Sequence, residues 1–228
     1  LVTLPYIKHM REGLQARGID MPLMGSCNIN TPEQMRTMIG EGDEIILSIL
    51  EHHSNIVPWH FHRERRGAVI KWAPIDEQGN FLIEEFAKLI SPRTKMVAVT
   101  AMSNALGTIV PVKEVIKLAH AHGIPVLVDA SQQAVHGHVD VQDLDCDFLV
   151  SSSYKFFGPH AGILYGKYDL LNELFAYKVR PAPNELPGRF ETGTQNHEGI
   201  AGVLGAVEYL QWVGQQFGSA ADLGARYQ

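Results

Sequence analysis

A chain of 228 residues, 45% of them apolar, is long enough for one large domain or a domain plus an appendage. Its formal charge of -6, with basic residues concentrated only at Arg63 to Arg66, argues against an extended nucleic-acid or anionic-membrane surface. Two cysteines, Cys27 and Cys146, exclude a disulfide framework or a four-cysteine zinc site, and no run approaches the roughly 20 apolar residues of a membrane span, so a cytoplasmic chain is expected.

In chain order, Tyr6 to Arg17 has helical spacing and stops at Gly18, and Thr31-Pro32-Glu33-Gln34 offers an N-cap, a proline at the first helical position and a capping-box glutamine. From Glu44 the pattern becomes short β-branched and aliphatic runs alternating with longer amphipathic ones, the mark of βαβ units. Strands are predicted over Glu44 to Leu50, Ala68 to Ala73, Lys95 to Ala101, Pro125 to Asp129, Cys146 to Ser151 and Ile163 to Tyr165. Helices are predicted over Leu82 to Ile90, Val112 to His122, Lys167 to Phe175 and Glu198 to Phe217. The fold class is therefore α/β, a three-layer α/β/α sandwich with a mainly parallel sheet.

In such a sheet ligands sit outside the carboxyl ends of the strands, so polar residues directly after apolar runs are the candidates. Three runs qualify. Val126-Leu127-Val128 ends in Asp129-Ala130-Ser131-Gln132, Phe148-Leu149-Val150 ends in Ser151-Ser152-Ser153-Tyr154-Lys155, and Ile46 to Leu50 ends in Glu51-His52-His53-Ser54-Asn55. A lysine amine and a carboxylate delivered to one rim suit an aldehyde cofactor with a ring nitrogen: Lys155 for an imine, Asp129 for the nitrogen. Taken singly, Asp129 is equally a helix cap and Lys155 a surface lysine. The serines before Lys155 offer donors to a phosphate, Gly158-Pro159 enforces a tight path, and the imidazole of His52 can lie over a flat ring. A metal site is the competing reading of His52, His53, His60 and His62 with Glu51 and Glu64, but no familiar ligand spacing is present. Gly193, Gly199, Gly202 and Gly205 do not form a dinucleotide fingerprint after a strand.

The segments Glu51 to Trp59, Ser103 to Thr108, Val128 to Gln132, Leu144 to Phe148, Lys155 to Pro159 and Arg189 to Thr194, in that order, resemble the class V aminotransferases. Within that family they look like the SufS-like cysteine desulfurases and selenocysteine lyases, and Ser151 to His160 with Tyr177 to Pro183 looks like a cysteine desulfurase-like subgroup. The resemblance implies the large domain of a fold-type I enzyme dependent on pyridoxal 5'-phosphate. Lys155 would bond the cofactor aldehyde, Asp129 would pair with the ring nitrogen, Gln132 and Asn104 would reach the ring hydroxyl, and His52 would stack on the ring. Ser152 and Tyr154 would bind phosphate, Tyr154 standing where relatives usually carry histidine. Thr194 would reach the phosphate of a neighbouring subunit, which implies a homodimer.

The implied reaction is C–S or C–Se cleavage in cysteine-type amino acids, with Lys155 and His52 catalytic and a sulfur-acceptor protein as a possible partner. Transamination or epimerisation would use the same residues, and a non-catalytic homologue acting as a cofactor-binding or interaction module is the third reading. The expected organisation is an atypical helical segment over residues 1 to 40, the cofactor-binding large domain over 41 to 217 and a tail over 218 to 228. The small C-terminal domain with the substrate arginine and the persulfide cysteine is expected to be absent.

Overall fold

The computed structural model describes residues 39–191 and 193–217. The helical expectations for residues 6 to 17 and 31 to 34, and the tail at 218 to 228, lie outside the described residues. The chain builds one six-stranded sheet from β1 (Glu44–Ser48), β2 (Val69–Ala73), β3 (Thr94–Thr100), β4 (Val126–Asp129), β5 (Phe148–Ser152) and β6 (Gly162–Gly166). The spatial order is β2-β1-β3-β4-β5-β6; the first five strands run parallel and β6 pairs antiparallel to β5. The chain leaves β1 toward β2 and later returns to its other side as β3, so the strand order reverses between β1 and β3. In an open α/β sheet that reversal opens a crevice at the carboxyl ends of the strands.

Alternation along the buried strands sends successive side chains to opposite faces. Ile46, Val97, Val99, Val126 and Val128 build one core cluster, while Ile45, Leu47, Met96, Ala98 and Leu127 build the other. The helices close both. Phe86 of α2 (Ile83–Leu89) and Val115, Ile116 and Ala119 of α3 (Val112–His120) fill the first cluster. Trp59 of α1 (Val57–Arg66) and Leu171 of α6 (Tyr168–Glu173) fill the second. Burying a side chain of that size contributes roughly 1.5–3 kcal/mol, which makes the two-faced core the main source of stability.

Among the described residues, the sequence-predicted strands and the helices from Leu82 onward all form, with ends moved by two residues or fewer. Three helices were not anticipated: α1, α4 (Gln133–His136) and α5 (Val141–Leu144). In α1, Pro58 looks like a breaker but occupies the first turn, where its missing N–H costs nothing; Arg63, Arg65 and Arg66 load the last turn, and Gly67 closes it at φ 72°. The histidine-dense stretch is thus a helix whose His62 is buried beside Trp59, with ring centroids 6.0 Å apart. Among the described residues no group of three or more His, Cys, Asp or Glu side chains is placed to hold a metal, and no helix is long and apolar enough to cross a membrane. The long α7 (His197–Phe217) buries Gly199, Val203 and Ala206.

Candidate active site

Three chain segments build the candidate site at the carboxyl rim of the sheet, after β1, β4 and β5. After β1 the chain turns through Glu51 and His52 into a short 3-10 turn, His53–Asn55. The His52 ring caps that turn: its Nδ1 accepts from Ser54 N at 3.2 Å and lies 2.8 Å from Ser54 Oγ. Accepting a backbone N–H at Nδ1 leaves the proton of the neutral imidazole on Nε2. Burial lowers the His52 pKa, the nearby charges of His53 and Lys155 lower it further, and Asp129 opposes them. His52 is therefore neutral at neutral pH, and Lys155 and Asp129 both lie close enough to act on it.

Asp129 ends β4, pairs across the sheet with Val150 and with Thr100, and is 5% exposed. Among the described residues its carboxylate accepts Ser131 N at 2.9 Å and has no ion pair. A buried carboxylate without a cation carries a desolvation cost that a cationic ligand group would offset. Lys155 follows β5 in a second 3-10 turn, Ser153–Phe156, whose N-cap is Ser152. That turn is tied down by Ser153 Oγ, which donates toward Pro159 O and Ala161 O at 2.5 and 3.0 Å. Gly158 is required there, because an added Cβ would stand 2.9 Å from both Ser153 Cβ and Ser153 O. Tyr154, 48% exposed, stacks on His160 with centroids 4.9 Å apart and planes 10° apart, and Lys155 Nζ lies 5.9 Å from its ring centre. Ser151 Oγ, at the same strand end, is buried with no hydrogen-bond partner among the described residues.

The structure thus gathers His52, Asp129, Ser152, Tyr154 and Lys155 at one rim. Gln132 is half-buried at the start of α4, one turn beyond Asp129. Asn104 and Thr194 stand exposed on loops with no side-chain hydrogen bond among the described residues. The donor set fits pyridoxal 5'-phosphate: an amine for the aldehyde, an unpaired buried carboxylate for the ring nitrogen, a neutral imidazole for the ring face, and hydroxyls for the phosphate.

Sequence reasoning weighed Glu51 only as a polar residue after the first strand and as a metal-ligand candidate; it is 8% exposed and accepts Ser48 Oγ at 2.5 Å, Thr100 N at 2.9 Å and Asn55 Nδ2 at 2.7 Å. Burial pushes its pKa up to about 7; the hydrogen bonds from Ser48, Asn55 and Thr100 resist that rise and the charge of Asp129 adds to it. The available signal was its place, directly after an apolar strand at the reversal of strand order.

A match to the family Aminotransferase class-V runs over residues 25–222. A cysteine desulfurase of Synechococcus elongatus is 44% identical over 186 residues, covering 76% of this chain and 30% of that protein. A probable cysteine desulfurase of Halalkalibacterium halodurans is 41% identical over 191 residues, covering 78% of this chain and 47% of that one. The crystal structure of the cysteine desulfurase CsdA from Escherichia coli superposes with a TM-score of 0.80 at 30% identity, over 99% of this chain and 59% of that chain. The chain spans less than half the length of these two sequence relatives, and it belongs to the class V aminotransferase family.

Proposed function

We propose that this chain carries the cofactor-binding half of a pyridoxal-phosphate enzyme that cleaves the C–S or C–Se bond of cysteine-type amino acids. The observation that supports it most directly is the convergence of Lys155, Asp129 and neutral His52 on one rim, in a family whose similar members are named cysteine desulfurases. When bound, the cofactor supplies an electron-accepting ring. Asp129, buried and without another cation among the described residues, holds the ring nitrogen's proton. His52 would cover the ring face as a neutral imidazole, with Nδ1 engaged by Ser54 N and its Nε2–H left able to donate a proton. Lys155 is the amine that would hold the cofactor aldehyde, and its Nζ would be the group that moves the substrate α-proton. Ser152 and Tyr154 donate to the phosphate, with Gln132 and Asn104 toward the ring hydroxyl. The large domain over residues 41 to 217, a cytoplasmic homodimer with Thr194 reaching the neighbour's phosphate, and a sulfur-acceptor protein complete the proposal.

The test is trapping. Borohydride added to the chain with pyridoxal 5'-phosphate is expected to leave one reduced adduct, mapped by mass spectrometry to Lys155. Lys155→Ala abolishes the adduct and the visible absorption while circular dichroism keeps the folded signature. Label scattered over surface lysines instead would overturn the assignment.

A further inference from the structure

We propose that Glu51 is the positioning residue of this site: one buried carboxyl group ties the turn carrying His52 to the strand ends that set Asp129. The inference rests on the proposed cofactor role of those two residues.

Glu51 stands where the strand order reverses, and its bonds cross that crevice. Oε1 takes Ser48 Oγ from the end of β1 and Thr100 N from the end of β3. Thr100 Oγ1 in turn lies 3.3 Å from Asp129 O, which also accepts Ala101 N at 2.9 Å. On the other side Oε2 takes Asn55 Nδ2, and Asn55 N donates to His52 O at 2.8 Å. The orientation of the Asn55 amide is fixed, because its Oδ1 accepts Trp59 Nε1 at 3.2 Å and so its NH₂ must face Glu51. Among the described residues three donors and no cation converge on this carboxyl group, and Asp129 is the charged group that bears on it. Burial and that like charge both favour the protonated form, in which the short contact reverses: the acid O–H donates to Ser48 Oγ, which also accepts Leu50 N at 3.1 Å. A neutral Glu51 leaves the single negative charge of the rim on Asp129, where a ring nitrogen needs it.

Glu51→Gln in the full chain keeps shape and the acceptor for Thr100 but sets one amide donor against another at Asn55. The readout is the His52 ring resonance, assigned by its loss in His52→Gln. In the parent it carries, beside its own titration, a second inflection near pH 7 from Glu51; Glu51→Gln removes that inflection, displaces the resonance and weakens pyridoxal 5'-phosphate binding about tenfold. Should Glu51→Gln fail to fold, Ser48→Ala removes the hydroxyl whose hydrogen bond holds the Glu51 pKa down and moves the inflection to higher pH. Asp147→Asn, destabilised at the opposite rim, leaves the His52 resonance and the cofactor affinity unchanged. A His52 resonance indifferent to Glu51→Gln or Ser48→Ala, or one that Asp147→Asn moves equally, overturns the proposal. Absence of the Lys155 adduct in the parent overturns the cofactor reading and leaves the His52 result standing on its own.

Discussion

Glu44 and Glu51 stand at opposite ends of the first strand and its exit, and their surroundings act on them in opposite ways. Burial opposes ionisation of Glu44, but Lys71 and Arg93 pair with it at 2.7 and 3.0 Å and Ser91 donates to it, so its pKa falls to about 2. Glu51 has no paired cation among the described residues, and burial carries it up to about 7. A lowered folded pKa contributes stability above the unfolded value that is lost as pH falls through about 2. A raised one contributes stability that is full below the unfolded value and lost as pH rises toward 7. At about 1.4 kcal/mol per pKa unit each limb amounts to about 3 kcal/mol. Denaturant unfolding across pH 2 to 8 is expected to show stability rising to a maximum near pH 4.5 to 5 and then declining from these two groups. Glu44→Gln flattens the acid limb and Glu51→Gln the neutral one; an unchanged neutral limb in Glu51→Gln would mean that the carboxyl is already ionised in the fold.

At the scale of elements, the turn that presents Lys155 shows how packing limits sequence change. Phe157 adopts φ 69° to close the turn and Gly158 follows it against Ser153. Gly158→Ala is expected to cost about 1–3 kcal/mol by overpacking, because the atoms it meets are the backbone and Cβ of a fully buried serine rather than a flexible tip. It should also lower the yield of Lys155 adduct, whereas Gly205→Ala, with open space around it in the interior of α7, should lower neither stability nor yield. The requirement for glycine was legible from the Gly158-Pro159 pair, and so were six strands, because runs such as Val126-Leu127-Val128 are apolar on both faces. What escaped was local capping. The helix α1 was hidden because Pro58 reads as a breaker until its place in the first turn is known, and α5 because four residues carry no period and depend on Asp140 accepting Gln142 N and Asp143 N. The role of Glu51 escaped for a different reason: its partners at Thr100 and Asn55 come from a distant strand and a turn, and no spacing reveals three donors meeting one acid.

Across the whole molecule, function and anchoring are divided between the two rims of the sheet. At the carboxyl rim, among the described residues, Asp129 has no ion pair and Ser151 Oγ has no hydrogen-bond partner. At the amino rim they are saturated: Asp147 accepts Val126 N and meets His120 Nε2, both at 2.7 Å, and Lys167 Nζ at 3.1 Å. Lys167 also pairs with Asp145 at 2.6 Å, so β4, β5, α3 and the end of β6 share one knot. Cys146 is buried inside it, and burial drives its thiol pKa up to about 11, leaving it an inert core residue. Asp147→Asn is expected to lower the unfolding free energy by about 2 kcal/mol, the scale of hydrogen bonds to a charged group. The affinity of the folded fraction for pyridoxal 5'-phosphate should not change, because no strand end that carries a site residue is altered. A thermal melt paired with a binding titration separates the two quantities. If affinity falls in step with stability, the rims are mechanically coupled through β4 and β5 and are not separate in function; if only the melt moves, the site is a property of the carboxyl rim alone.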